Sequence, residues 1–184
     1  MPLNCRITGG IDLNCDSLRK PGGLSREVWG FNLGDLTAPL PVELAQYITN
    51  IPLSTYRGLF KFSGAKYSAE YTWTEQTADG GNKSYLISLT LRLFNSTPTD
   101  DGIIEDLGVG ETVFVVKTNA GEFLILGAEN GLASDGSTGG SGRQSTDATT
   151  SQIVLTGTER FLPKRLLIGG SATQTLAYLN AATA

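Results

Sequence analysis

The chain of 184 residues contains no histidine. That absence removes Ser-His-Asp and Cys-His activation of a nucleophile, imidazole acid–base chemistry and histidine-liganded metals. Charge is also scarce: 17% of the residues are charged, with 14 basic against 18 acidic side chains and a net charge of −4. The chain therefore has no basic excess for wrapping nucleic acid, and its closest-set cations are the single pair Lys164-Arg165. No apolar run approaches the roughly twenty residues needed to cross a bilayer. The opening MPLNCRITGG has neither the basic flank nor the apolar stretch of a secretory signal, so the expectation is a soluble protein first folded in a cytoplasm.

The two cysteines, Cys5 and Cys15, flank Gly9-Gly10 in a stretch that reads as a hairpin. A three-residue loop would set them opposite each other within bridging reach, whereas a two-residue loop would set Cys5 against Asn14. A reducing compartment favours two free thiols. Two thiolates without an imidazole leave tetrahedral zinc half-coordinated, so no metal site is expected. Phosphate-binding loops are missing as well. In GGNKS (80–84), Asn82 stands where a Walker loop needs glycine, and GVGETV (108–113) lacks the third glycine of a dinucleotide fingerprint. No cofactor is expected.

Acids cluster in TPTDDGIIEDLGVGE, at Asp100, Asp101, Glu105 and Asp106. Paired carboxylates can serve glycoside hydrolysis. The competing reading is a short helical turn capped by Thr99 or Asp100, with acids favoured at its start by the helix dipole and Gly108 at its end. Together these features point away from an enzyme.

What is present is a β pattern. Arg26–Leu36 alternates as a half-buried strand, and Ser54–Phe62 places Tyr56, Phe60 and Phe62 on one side. In 66–77, Tyr67, Ala69, Tyr71 and Trp73 alternate with Ser68, Glu70, Thr72 and Thr74. After a Gly-containing loop, 83–94 answers with Tyr85, Ile87, Leu89, Leu91 and Leu93 on the buried face. The aromatic row suits either a core face or a stacking platform. TVFVVKT and EFLILGA flank Asn119-Ala120-Gly121, a turn with glycine at a left-handed position.

One helix is predicted at about residues 41–49, with Pro41 in its first turn and Leu44, Tyr47 and Ile48 on one face. The expected architecture is a single mainly β domain over residues 1–184. It is an antiparallel sandwich or open barrel of about seven or eight strands with one short helix. A C-terminal arm or short helix follows at about 171–184.

Between two strand-like ends lies a Gly/Ser/Thr-rich stretch at about 132–152, read as a long flexible loop. Loops of that length are functional or disordered more often than not. With no catalytic site for it to cover, the reading is an arm ordered by a neighbouring subunit, with the long 66–94 hairpin extending a neighbour's sheet edge. Candidate assembly contacts are Ser134, Asp135, Arg143, Gln144 and Asp147 of the loop and Tyr71, Trp73 and Arg92 of the hairpin.

The block VVKTNAGEFLILGAENGL, its Gly/Ser/Thr insertion and STDATTSQIVLTGTE resemble the C-terminal half of small virion proteins of tailed bacteriophages. The opening C…GGIDLNC…GGLSREVWGFNLGDL is similar to the openings of the same group, and the tail-tube class fits the size, the β-rich make-up and the single helix. That resemblance implies a virion protein that assembles in the host cytoplasm as stacked hexameric rings, contacts other virion proteins and passes DNA through its channel as non-specific cargo. It transfers no catalytic residue. Six subunits of net charge −4 would carry about −24 per ring, which disfavours phosphate sticking to the lumen. Glu70, Glu75, Asp79, Asp100, Asp101, Glu105 and Asp106 are the acidic candidates for lining the channel. The alternatives are a capsid decoration or cement protein, and a carbohydrate-binding β-sandwich using Trp29, Trp73 and tyrosines.

Overall fold

The computed structural model describes residues 22–40, 47–54, 58–63, 68–77, 81–94, 97–140 and 150–183. Within them the chain is mainly β, with ten strands in two sheets and no closed barrel. The first sheet is assembled from β1 (Leu24–Asn32), β2 (Tyr47–Ile48), β3 (Phe60–Ser63), β6 (Thr112–Thr118), β7 (Phe123–Leu126) and β10 (Lys164–Leu166), in the order β2-β10-β7-β6-β1-β3. The second holds β4 (Ala69–Thr77), β5 (Lys83–Phe94), β8 (Ala133–Gly140) and β9 (Thr150–Glu159), in the order β4-β5-β9-β8. Every pairing is antiparallel except β2 with β10.

The central strands of the six-stranded sheet are buried on both faces, and their sequence shows it. β6 and β7 read as near-continuous apolar runs, the signature of a strand covered twice. One face carries Val28, Phe114, Val116, Leu124 and Leu126 into the space between the sheets. There they meet Ile87, Leu89, Leu91, Ile153 and Leu155 of the four-stranded sheet. The opposite face carries Trp29, Phe31, Val113, Val115, Phe123 and Ile125 into a second core with Ile48, Leu59, Leu166 and Leu179. Trp29 is therefore enclosed and offers no surface for a sugar. The β6–β7 turn closes as expected, with Gly121 at φ +86° and its N–H donating to the Thr118 carbonyl at 2.9 Å.

Among the described residues two α-helices flank the sheets. The first, α1 (Pro98–Val109), carries the chain from β5 to β6. Its cap is Thr97 rather than Thr99 or Asp100. The Thr97 hydroxyl accepts from the Asp100 N–H at 3.3 Å, and the Asp100 carboxylate accepts from the Thr97 N–H at 2.7 Å. This reciprocal capping box satisfies two orphan donors, so the helix runs on through Gly108 for 12 residues instead of closing as a single turn. The second, α2 (Ala172–Ala181), is the C-terminal arm folded down as a packed helix. Ser171 caps it, Leu179 is buried in the second core, and the Tyr178 hydroxyl donates to the Ile51 carbonyl at 3.2 Å.

Two expectations are corrected. The helix expected at 41–49 ends in a strand: Tyr47–Ile48 pairs in parallel with Arg165–Leu166, and residues 41–46 lie outside the described residues. At these two residues, burying Ile48 against Leu166 favours the extended pairing over the helical reading. The expected loop at 132–152 is largely a hairpin. Ala133–Gly140 pairs along β9 with a bulge between Ser134 and Gly136, so of this stretch only 141–149 lies outside the described residues. Pairing to the strongly patterned β9 sets this strand, and the weak intrinsic preference of Gly and Ser does not prevent it. The Cys5–Cys15 hairpin also lies outside the described residues.

Candidate functional site

The four-stranded sheet differs from its partner in having one face without a covering layer. Strand alternation assigns the residues. Ala69, Tyr71 and Trp73 pair with Leu91, Leu89 and Ile87 on the core side, while Glu70, Thr72, Thr74 and Gln76 pair with Thr90, Ser88, Leu86 and Ser84 on the other. β9 continues that outer face with Gln152, Val154, Thr156 and Thr158, and β8 adds Thr138 and the glycines Gly136 and Gly140. The face is thus mostly hydroxyl and amide groups, with Glu70 and Arg92 as its charged members on these strands. Both edge strands are open: within the sheet β4 pairs with β5 alone, and β8 with β9 alone.

Sequence-predicted residues scatter across this frame. Arg92 and Glu70 lie on the outer face and are exposed. Tyr71 points inward, half-buried against its own core, where burial raises its hydroxyl above the usual range. Trp73 sits farther out on the same side, is 48% exposed, and meets Tyr85 edge-on at 6.0 Å. Ser134 pairs opposite Leu155 on the core side, and Asp135 is the bulge residue, exposed at the sheet edge. Arg143, Gln144, Asp147 and Asp79 lie outside the described residues.

The acidic candidates are not brought together. Glu75 falls on the face opposite to Glu70 and is ion-paired with Lys83. Asp100 is occupied by the capping box, whose hydrogen bonds from Thr97 hold its carboxyl below the ordinary value. Asp101, Glu105 and Asp106 are exposed on α1.

A different carboxylate, missed in the sequence, organises the end of the sandwich. Glu159 is 3% exposed. Its Oε1 accepts from the backbone N–H groups of Glu129 at 3.2 Å and Asn130 at 3.1 Å, and its Oε2 accepts from Glu129 at 3.0 Å. Glu129 in turn takes the Arg160 guanidinium at 2.8 and 3.2 Å. The Asn130 amide donates to the Thr158 carbonyl at 2.6 Å. This network fastens the turn between β7 and β8 onto the end of β9.

The approach is close enough that a Cβ at Gly157 would stand 2.2 Å from the Gly131 carbonyl oxygen. Burial raises the Glu159 carboxyl above its ordinary value, whereas the Arg160 guanidinium lowers that of Glu129. The signal was available in SQIVLTGTE: Ile153, Leu155, Gly157 and Glu159 form one inward series, so a carboxylate ends a core face.

Glu159 and Glu129 border a cleft of about 740 Å³ whose other walls include Leu36, Leu40, Ile48, Ile125 and Phe161. With both oxygens of Glu159 committed to backbone donors and Glu129 committed to Arg160, the pair is built to hold a turn. Among the described residues no helix is long and apolar enough to cross a membrane. No family model matches the chain, and no curated protein or solved structure matches it.

Proposed function

We propose that the protein is a virion structural subunit of a tailed phage that assembles with its own copies, as a tail-tube ring around a DNA channel. The observation that carries this reading is the four-stranded sheet with two open edges and one uncovered polar face. An open edge is a row of unpaired backbone donors and acceptors, which a lone soluble domain blunts with charge, proline or a covering element. β8 has no lysine, arginine or proline; the bulge at Asp135 interrupts its start, and from Gly136 to Gly140 it runs in regular register with β9 alone.

Six copies set edge to edge, β4 of one beside β8 of the next, would close a barrel with the Ser/Thr face inward. A heterologous contact of this kind forms a ring when its rotation closes. Hydroxyl and amide groups with one Glu70 and one Arg92 per copy give a lumen that neither grips phosphate nor repels it strongly at contact. The net charge of −4 per chain acts at longer range. This lining departs from the strongly acidic channel expected from Glu70, Glu75, Asp79, Asp100 and Asp101 together, because strand parity puts Glu70 and Glu75 on opposite faces.

Negative-stain imaging and sedimentation of the purified chain at rising concentration test the reading. Rings or tubes with an open centre support it. Dispersed monomers at every concentration overturn it, and trimers without a channel favour a capsid decoration protein instead. One observation favours a carbohydrate-binding module: the exposed Trp73 with Tyr85 edge-on beside it. That reading requires a monomer whose tryptophan fluorescence is quenched by sugar.

A further inference from the structure

Exposed apolar side chains on this molecule are not scattered. Among the described residues the large ones are Phe60, Trp73, Ile103, Val109, Phe161 and Leu162. Phe60 and Ile103 line a groove of about 710 Å³ on the open side of the sandwich, between edge strand β3 and helix α1, floored by Phe62, Leu93 and Ile104. Val109 ends the same helix. Phe161 and Leu162 lie together on the turn between β9 and β10, where they border the cleft beside Glu129 and are 55% and 41% exposed. Clustered apolar exposure of this kind marks an interaction surface.

The two patches also differ in charge. Helix α1 bears Asp100, Asp101, Glu105 and Asp106 and no basic residue, and the cation that lines the groove from β3, Lys61, is ion-paired with Glu27. The turn bears Arg160, Lys164 and Arg165 within six residues. Arg160 and Lys164 lie against the Phe161 ring, at 5.8 and 4.7 Å from its centroid, which holds the ring outward between two cations. Glu129 and Glu122 orient the two guanidiniums from behind while leaving the Arg160 side chain 77% exposed.

We infer that copies of this chain dock head to tail, with the Phe161–Leu162 knob of one seated in the groove between β3 and α1 of the next. The inference rests on the assembly reading and names a second pair of surfaces for it, separate from the β4 and β8 edges. The residues lining the groove and those of the knob do not overlap, so one copy can engage two neighbours at once. A contact between two unlike patches propagates, and it closes into a ring or runs on as a stack. Apolar anchors fix the affinity, and the acidic rim around basic flanks fixes the partner and the orientation.

The test uses two variants of the full chain. Phe161→Ser with Leu162→Ser removes the knob; Phe60→Ser with Ile103→Ser removes the groove lining. Each is expected to weaken association by roughly 30-fold or more in sedimentation, the effect of losing a central anchor. Mixed one to one, they are expected to associate more tightly than either variant alone, because one intact knob then meets one intact groove. Near-UV circular dichroism checks that each variant is folded. If the groove variant is not folded, Glu105→Lys with Asp106→Lys, both on the exposed side of α1, replaces it. Variants that assemble like the wild type, or a mixture that stays monomeric, overturn the docking while leaving the assembly reading intact. A wild-type chain that never assembles overturns both.

Discussion

The two sheets are built from one chain and obey opposite rules. In the six-stranded sheet both faces are covered, and β6 buries Val113, Phe114, Val115 and Val116 in succession. In the four-stranded sheet only alternate residues are buried, as at Ile153 and Leu155, and the intervening Gln152, Val154 and Thr156 are half-exposed. The first arrangement leaves its central strands no free face, and only its edge strand β3 keeps an exposed apolar side chain, Phe60. The second is stable as it stands, since one buried face suffices for an antiparallel sheet. It keeps a second face and two edges available. On the proposed ring, core stability and the edge-to-edge contacts are thus lodged in different sheets, and substitutions can separate them.

The largest effect should come from the doubly covered sheet. Phe114 is fully buried and packs on Phe62 at 5.7 Å between ring centroids. Phe114→Ala should cost about 3–5 kcal/mol in urea unfolding. Its counterpart on the open face, Thr90→Ala, should stay within about 0.5 kcal/mol. Comparable losses at both sites would erase the distinction between the sheets.

Gly157→Ala tests the buried side of the four-stranded sheet, where a Cβ would meet the Gly131 carbonyl at 2.2 Å. Forcing that turn away should cost about 1–3 kcal/mol, read as a lowered thermal midpoint.

Glu159 sharpens the comparison through pH. Its carboxyl is raised above the ordinary 4.5, first by burial. The folded state therefore binds this proton more tightly than the unfolded chain does. The stability linked to that proton is full below pH 4.5 and is lost as pH rises through the raised value. Glu129, lowered by Arg160, acts with the opposite sign: its contribution is present above the ordinary value and is lost on acidification through its lowered one. Glu159→Gln should abolish the alkaline-side loss in denaturant titrations between about pH 4 and pH 8. It should also cost about 1–3 kcal/mol at all pH, because the amide N–H₂ opposes the Glu129 N–H. A pH profile unchanged by the substitution would contradict this account of the turn.

The smallest effect is a gain. Gly102 lies within α1, and a Cβ built there meets nothing within 4 Å. Gly102→Ala should therefore stabilise the protein by about 0.5–1 kcal/mol by thermal melting.

What could be read from the sequence follows the same division. The β4–β5 hairpin was legible because period-two alternation runs through both arms, and the β6–β7 hairpin because two apolar runs flank a turn glycine. Helix α1 was read only as a turn. Gly102 and Gly108 weaken its propensity, and its apolar residues do not form a broad stripe, so its length depends on the Thr97–Asp100 box. β8 carried no signal of its own, since ASDGSTGG is a strand only through its ladder to β9. Likewise Tyr47–Ile48 is extended through a parallel partner more than a hundred positions away in the sequence. The acidic candidates were drawn from polar strand faces and loops, whereas Glu70 and Glu75 are separated by strand parity and Asp100 by its capping role. The carboxylate that does organise a turn, Glu159, was hidden because its partners are the backbone N–H groups of residues 129 and 130.

Amide hydrogen exchange in dilute and concentrated protein tests the central claim most directly, because it reports on the open edges themselves. If copies meet along the four-stranded sheet, protection should rise at concentration in Ala69–Thr77 and Ala133–Gly140, while Thr112–Thr118, already paired on both sides, stays unchanged. Exchange in β4 and β8 that is identical at both concentrations, in a sample shown to be assembled, would contradict the account.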